Sequence, residues 1–214
     1  FAGISLAYLA KKYNKKLILF SPSQKEISDH QAICVEMGAE MKFMRIAAMP
    51  VLNAHAKKWA EANNAFFIPL GLKHELVTAA AVKVAHTIAE KHGYPDEVWS
   101  AISTGVLQRS LQIAWPDAKF HGVAVARNIK KGERGIAELW SHPKAFTQNV
   151  HPDYNPPFPS AMNYDAKAWE FMVKNGNPGA WFWNVGGDPK PDSEDTKLLT
   201  NSEREWGEIL ETDK

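Results

Sequence analysis

Short apolar runs alternate with helix-length segments from the start of the chain to Ala126, and this alternation limits the fold more than any other feature. Strands are predicted at 17–20, 41–46, 66–68, 97–102 and 120–126, and helices at 4–10, 26–37, 50–60, 74–92 and 106–115. Strands and helices that alternate at this spacing favour a parallel sheet with right-handed crossovers. The predicted fold class is therefore α/β, with three layers: a mostly parallel sheet and helices on both of its faces.

The alternation stops after Arg127. The stretch 149–160 is rich in proline, which predicts a rigid, irregular excursion and not a flexible linker. Beyond it the periodicity predicts three further elements: a helix at 164–173, a strand at 181–183 and a turn at 186–187. The tail from Asp188 is acidic and polar, and one short docking helix is indicated there by Trp206, Ile209 and Leu210.

The charge of the chain is balanced, with 25 basic and 24 acidic residues and no segment of uniform sign. Nucleic acid and a membrane surface are therefore not expected partners. The longest apolar stretches have the length of strands, so neither a membrane span nor a signal peptide is predicted, and we expect a cytoplasmic protein. At 214 residues and 45% hydrophobic, the chain can bury one sizeable core or two small lobes.

The chain opens on Phe1 and runs at once into helical sequence, without a strand before it. An α/β layer protein seldom begins in this way. We therefore expect that sequence is missing at the N-terminus.

The segment Trp99–Arg109 is the strongest local indication of a binding site. It predicts a strand that ends in the small polar turn Ser103, Thr104 and Gly105, after which a helix begins at Val106. Free N–H groups at the start of a helix, the helix dipole and two hydroxyl groups favour a bound phosphate. The alternative is ordinary turn-and-cap chemistry, because any turn between a strand and a helix prefers small residues.

Several common catalytic patterns are missing from the sequence. Residues 103–106 hold one glycine and no following Lys-Ser/Thr pair, so neither a dinucleotide fingerprint nor a Walker loop is indicated. No G-x-S-x-G elbow supplies a hydrolase nucleophile. The histidines are scattered, and His74–Glu75 lacks the second histidine of a zincin helix, so no metal site is predicted. The single cysteine, Cys34, is interpreted as a buried structural thiol.

The proline-rich segment 155–160 and the residues 163–167 that follow it concentrate polar groups beside rigid backbone, as a loop facing a substrate would. The alternative is structural, with Asn163 capping a helix whose polar face is solvated. Three tryptophans are predicted to belong to the core, since no basic residues surround them: Trp169, Trp181 and Trp183.

Three motifs, in order, resemble those of the fold type II (tryptophan synthase β-like) pyridoxal-phosphate enzymes, which include threonine synthase, cysteine synthase and a deaminase and desulfhydrase branch. Ala2-Gly-Ile-Ser-Leu-Ala7 is similar to the helix that follows this family's Ser-Gly-Asn motif. Glu36-Met-Gly-Ala-Glu40 is similar to its recurrent helix end in Met/Leu-Gly-Ala. Ser103-Thr-Gly-Val106 falls where the family has its glycine-rich phosphate cup. Beyond these three motifs, Trp183-Asn-Val-Gly-Gly187 is more weakly similar to the family's closing strand and turn.

The resemblance implies a small lobe at 1–63 packed on a larger lobe at 64–187, followed by the polar tail at 188–214. Pyridoxal phosphate would lie between the lobes, at the carboxyl ends of the strands. The reaction would be elimination, β-replacement or deamination of an amino acid, with the cofactor ring as electron sink. A homodimer, or a complementing N-terminal segment, would be the protein partner. The cofactor would contact five residues, namely Ser103, Thr104, Gly105, Val106 and Asn184.

Departures from the family's pattern narrow the functional prediction. The family's Schiff-base lysine lies upstream of its Ser-Gly-Asn motif, so no residue of this chain is predicted to be catalytic. The cup has Ser103 and Val106 where the family has glycines. The position that commonly meets the pyridine nitrogen holds the apolar Val185, and Asn184 is the nearest polar substitute.

Three functional hypotheses follow. The first is a fragment, or a truncated chain, of a pyridoxal-phosphate-dependent lyase or deaminase. The second is a catalytically inactive relative that serves as a binding or structural protein. The third is a protein that binds another phosphorylated metabolite, without covalent chemistry, at the turn around Thr104.

Overall fold

The computed structural model describes residues 2–23, 26–44 and 48–187, which fall into two units: Leu70 ends the first and Gly71 begins the second. The predicted tail and its docking helix lie outside the described residues. Within those residues no helix has both the length and the apolar character that a membrane crossing requires.

The first unit is built on a pair of parallel strands, joined in register from Ile18 opposite Glu40 to Pro22 opposite Met44. Its elements are α1 (Ala2–Lys12), β1 (Ile18–Pro22), α2 (Asp29–Glu36), β2 (Glu40–Met44) and α3 (Met49–Ala62). Cys34 is buried in a small cluster with Ala7 and Ala39, and burial raises the pKa of its thiol. The interpretation of Cys34 as a buried thiol is therefore confirmed.

The second unit contains a four-stranded sheet whose strands are all parallel, in the order β5-β4-β3-β6. Its elements are α4 (Glu75–His92), β3 (Glu97–Ile102), α5 (Val106–Ala114), β4 (Lys119–Ala124), α6 (Lys131–Arg134), β5 (Glu138–Ser141), α7 (Asp165–Asn175) and β6 (Trp181–Trp183). The strands predicted at 97–102 and 181–183 match β3 and β6. The predicted α/β class is confirmed, because both sheets are parallel and helices alternate with their strands.

Helices cover both faces of the four-stranded sheet. Alternate side chains of a strand point to opposite faces, and β3 shows this directly. Val98 packs with Ala85 of α4 and Leu111 of α5, whereas Trp99 packs on the other face with Ala168 of α7. The predicted core tryptophans contribute as well, since the Trp181 and Trp183 rings lie 5.5 and 6.0 Å from that of Trp115, and Trp169 packs on Phe182.

Two local predictions are wrong, and two short elements were not predicted. Residues 66–68 form no strand; Phe66 is 77% exposed and a short 3-10 turn follows at Leu70–Leu72, since apolar character alone supplies no partner for a ladder. The short α6 and the edge strand β5 were not anticipated in the stretch after Arg127. Asn163 is not the N-cap of α7. Tyr164 holds that position, and its side chain makes no capping hydrogen bond to the helix. The Ala166 N–H is instead accepted by the Ala161 carbonyl.

Candidate functional site

The turn between β3 and α5 depends on a glycine. Gly105 adopts φ 76° and ψ 2°, in the left-handed region, as the cap residue of α5. A Cβ atom at Gly105 would overlap the backbone carbonyl of Glu133, so no other residue fits this close approach. The turn directly follows β3, an inner strand of the sheet that is buried along its whole length. The turn therefore lies at the carboxyl ends of the strands.

Both hydroxyl groups of the predicted phosphate site already have partners in the protein. Thr104 Oγ1 donates to the Gly71 carbonyl at 3.3 Å, and the Ser103 side chain is hydrogen-bonded to Tyr164. The helix α5 makes its first backbone bond from the Arg109 N–H to the Gly105 carbonyl. The N–H groups that begin an α-helix have no acceptor within the helix, so the backbone around Val106 is the main source of donors for an anion.

An ion-paired arginine ties the turn to the segment after β4. The Arg127 guanidinium donates to the Ser103 carbonyl at 2.8 Å and, through both terminal nitrogens, to the Glu133 carboxylate at 2.7 and 3.0 Å. Lys130 N–H donates to the same carboxylate at 3.0 Å, and Lys73 Nζ lies 3.6 Å from it. The hydrogen bonds from Arg127, and then from the Lys130 backbone, lower the pKa of Glu133 to about 2.

A second arginine holds the other side of the turn. Arg109 Nε donates to the Gly105 carbonyl at 3.3 Å, and its Nη1 donates to the Gly132 carbonyl at 3.4 Å. These contacts bring three cations, Arg109, Arg127 and Lys73, to the region of the turn against one carboxylate, that of Glu133. Arg127 and Lys73 contact this carboxylate, whereas Arg109 contacts backbone carbonyls. This excess of positive charge favours a negatively charged ligand at the turn.

Tyr164 and Asp165 join the turn to the residues after β6. The Tyr164 phenol is hydrogen-bonded to the Ser103 side chain. Burial, reinforced by the negative charge of Asp165, raises the pKa of Tyr164 to about 12, so the phenol keeps its proton. Asp165 is fully buried and accepts the Val185 N–H through Oδ2 at 3.2 Å. Both residues lie in the segment 163–167, for which a loop facing a substrate is one of two interpretations, but the sequence assigns neither of them a role, because an aspartate at the start of a helix usually reflects only the helix dipole.

Asn184 is half-buried and carries one acceptor atom without a partner. Its Nδ2 donates to the Pro159 carbonyl at 2.9 Å, whereas its Oδ1 is buried and makes no hydrogen bond within the described part of the chain. The Ser160 hydroxyl, in the neighbouring proline-rich segment, is likewise buried and unpaired among those residues. Buried polar atoms are normally paired, so this acceptor calls for a partner such as an ordered water or a ligand.

The structure places all five predicted contact residues at the carboxyl edge of one sheet. Residues 103–106 follow β3, and Asn184 follows β6, the strand paired with β3 from Val98 opposite Trp181 to Ser100 opposite Trp183. Ligands of open parallel sheets bind at this edge. Within the described ranges, no group of three or more His, Cys, Asp or Glu side chains is arranged to hold a metal ion.

Solved structures share this fold over most of the chain. A homologue of ACC deaminase is 17% identical with a TM-score of 0.71, over 93% of this chain and 74% of that one. A threonine deaminase from T.th. is 16% identical with a TM-score of 0.63, over 89% and 75%. A hydrogen sulfide-producing enzyme from Fusobacterium nucleatum is 15% identical with a TM-score of 0.61, over 87% and 74%.

The parallel sheets, the helices on both faces of the larger sheet and the polar turn after β3 define an α/β protein with a candidate binding site at the carboxyl ends of its strands. More particularly, the chain has the fold of the fold type II enzymes, as the motif resemblance predicted. No protein-family model matches the sequence, and no curated protein matches it.

Proposed function

We propose that this chain forms the pyridoxal-phosphate-binding part of an enzyme that eliminates, replaces or deaminates groups on an amino acid. The observation that carries the proposal is the Ser103–Val106 turn, which presents the N-terminus of α5 and a surplus of positive charge at the carboxyl edge of a fold type II sheet. When bound, the cofactor would supply an electron sink for charge that develops on the substrate's α-carbon.

The turn fits a phosphate. Backbone N–H groups near Gly105 and Val106 would donate to its oxygens, and Arg109, Arg127 and Lys73 would offset its charge. The hydroxyls of Ser103 and Thr104 would act indirectly, because each already serves another group of the protein. Glycines in the cup are thus not required at positions 103 and 106 if the backbone alone supplies the donors.

The residues after β6 fit the ring of the cofactor. The orphaned Oδ1 of Asn184 accepts hydrogen bonds and donates none, which matches the N–H of a protonated pyridine nitrogen. The buried Asp165 carboxylate, held beside Val185, would favour that protonated form through its charge. Tyr164 would hold a proton at its phenol oxygen throughout the physiological pH range, since its pKa is raised to about 12.

A second candidate combines the second and third hypotheses drawn from the sequence: a catalytically inactive relative that serves as a binding protein and takes a phosphorylated ligand without covalent chemistry. The observation in its favour is that the three cations at the turn are engaged in ion pairs or carbonyl bonds: Lys73 and Arg127 with Glu133, and Arg109 with Gly105. Such a protein would bind a phosphorylated compound at the turn around Thr104 but would form no covalent bond to it.

Titration calorimetry with pyridoxal phosphate tests the proposal on the 214-residue chain. We expect a dissociation constant below about 100 μM, which corresponds to a binding free energy more favourable than about −5.5 kcal/mol. The Asp165→Asn variant keeps the size of the side chain and an acceptor for the Val185 N–H, and should weaken binding about tenfold by removing the charge. Asp153→Asn is the matched control, because the Asp153 side chain is 78% exposed and should leave binding unchanged.

No heat of binding up to roughly 1 mM cofactor would overturn the proposal. Borohydride treatment followed by peptide mass spectrometry then separates the two candidates. In the protein translated from its full reading frame, a lysine adduct would support the enzyme, whereas tight binding without any adduct would support the inactive relative.

A further inference from the structure

Arg127, paired with Glu133, contacts the turn at Ser103, but the donors of its guanidinium are already engaged within the protein. Four hydrogen bonds leave its terminal nitrogens: two to the Glu133 carboxylate, one to the Ser103 carbonyl and one to the Asn128 carbonyl. Each terminal nitrogen of arginine carries two N–H donors, so these bonds use all four of them. Arg127 is therefore suited to orient the turn and not to bind an anion directly.

The bond to Ser103 fixes the direction of the next amide. In a trans peptide the carbonyl and the following N–H point to opposite sides of the chain. The described residues contain no cis peptide bond, so a Ser103 carbonyl held against Arg127 sends the Thr104 N–H away from the guanidinium. The Gly105 carbonyl is held in the same manner by Arg109, from its backbone N–H at 3.0 Å and its Nε at 3.3 Å.

Glu133 fixes Arg127 in turn. A bidentate contact between a carboxylate and a guanidinium allows only one relative orientation, unlike a contact with a single nitrogen. The carboxylate is itself held by the Lys130 N–H, and the Glu133 carbonyl packs on Gly105, so this residue reaches the turn through both its side chain and its backbone. The order Glu133, Arg127, Ser103 carbonyl, Thr104 N–H is a chain of oriented groups.

We propose that Glu133 and Arg127 are positioning residues that aim the Thr104 N–H at the phosphate of the ligand, and so make the site prefer pyridoxal phosphate to pyridoxal. The inference rests on the proposed function, since the phosphate site is the one proposed there. It adds a second cause for the preference, the orientation of one backbone amide, to the charge of the cations around the turn.

The test compares the dissociation constants of pyridoxal phosphate and pyridoxal for the 214-residue chain and its variants. The two ligands share the ring, so the preference, defined as the pyridoxal constant divided by the pyridoxal phosphate constant, isolates the phosphate. Arg127→Met should lower this preference about tenfold and leave pyridoxal binding unchanged. Arg127→Lys should lower it nearly as far, because lysine keeps the charge but lacks the planar fork. Glu133→Gln should lower it about threefold.

Lys131→Met is the matched control for charge. Lys131 is exposed on the same short helix as Glu133, so its replacement removes one positive charge without touching the chain of oriented groups. We expect the preference to change by less than about twofold. In isotope-labelled protein, the Thr104 amide resonance should shift on addition of pyridoxal phosphate, and this shift should be lost in Arg127→Met.

Three outcomes would overturn the inference. The first is a wild-type preference in Arg127→Met. The second is full restoration of the preference in Arg127→Lys, which would mean that charge alone matters. The third is equal weakening of both ligands, which would mean a general structural role. In each of these cases a wild-type chain that prefers the phosphorylated ligand leaves the proposed function intact, whereas a wild-type chain without that preference would contradict the proposed function itself.

Discussion

The two ends of the four-stranded sheet both carry polar side chains, but the groups at the carboxyl end are open to a ligand and those at the amino end are sealed. At the carboxyl end, Arg127 is 41% exposed beside Glu133, and Asn184 keeps an acceptor without a partner among the described residues. At the amino end, Glu97 and His121 have side chains only 6% and 4% exposed. Similar chemical groups thus occupy very different surroundings.

The buried groups at the amino end mostly satisfy one another. Glu97 accepts the Trp99 Nε1–H at 2.5 Å and the Asn177 N–H at 3.2 Å, and a further bond comes from the Asn177 side chain. The His121 ring stacks on Trp99 with centroids 4.0 Å apart, and its Nδ1 accepts the Trp140 Nε1–H at 3.1 Å. Groups that are buried, paired and enclosed by aromatic rings contribute to stability and have no access to a substrate.

The comparison indicates that a polar cluster points to ligand binding only when some of its hydrogen-bond donors or acceptors lack partners within the protein. The carboxyl end has helix N–H donors and an orphaned acceptor on Asn184, whereas the amino end has its donors and acceptors matched within the protein, apart from His121 Nε2. We therefore expect substitutions at the carboxyl end to change ligand binding and those at the amino end to change the free energy of unfolding.

The largest effect is expected for Gly105→Ala, which alters both quantities. The new methyl group would meet the Glu133 carbonyl, and alanine would be strained at φ 76°. We expect the free energy of unfolding to fall by about 2–4 kcal/mol and the phosphate preference to be lost. Urea denaturation, followed by calorimetric titration of the folded fraction, measures the two effects.

Gly132→Ala is the matched control, since a methyl group at Gly132 has open space around it and the residue lies within α6. The free energy of unfolding should stay within about 0.5 kcal/mol of the wild-type value, or rise slightly. Equal effects from the two substitutions would show that the close approach at Gly105 has no special importance.

A smaller effect, confined to stability, is expected for Glu97→Ala. Removing the carboxylate leaves the Trp99 and Asn177 donors buried without acceptors, which should lower the free energy of unfolding by about 2–3 kcal/mol. Binding of pyridoxal phosphate, measured by calorimetry, should not change. Glu138→Ala is the control, because the Glu138 side chain is 52% exposed and its removal should cost less than about 1 kcal/mol. A change in ligand affinity for Glu97→Ala would contradict the contrast between the two ends.

The elements that position the site were predictable because their signals are local. The β3 strand is buried at every position, and its apolar residues Val98, Trp99, Ala101 and Ile102 make it stand out in the sequence as a mostly apolar segment. The start of α5 was predictable for a related reason, since Gly105 marks the turn just before Val106. A strand was wrongly predicted at 66–68, where a similar apolar run has no ladder partner.

The contacts that complete the site were not predictable, because they join residues far apart in sequence. Arg127 reaches the Ser103 carbonyl across 24 positions, and Asp165 accepts the Val185 N–H across 20. In the sequence Arg127 and Glu133 look like surface charges beside other basic residues. Only the pairing of β3 with β4 and β6 in one sheet brings these residues together, and no periodicity of the chain encodes that distance.

The smallest effect concerns pH and tests whether the amino end is truly sealed. Burial, together with repulsion by Lys119, holds the pKa of His121 below its ordinary value of 6.5, against the attraction of Glu97 and Glu138. The unfolded chain therefore binds a proton at higher pH than the folded chain does, so this contribution to stability is complete above pH 6.5 and declines as the pH falls below it.

Urea denaturation at a series of pH values between about 5 and 7.5 measures this dependence. His121→Gln should reduce the slope of the free energy of unfolding against pH in the acidic part of the range. Some slope should remain, because burial also lowers the pKa of His142, against the opposing effect of its hydrogen bond to the Glu170 carboxylate. An unchanged slope would mean that the His121 ring reaches water on protonation, and the amino end would then resemble the open carboxyl end more closely than its burial indicates.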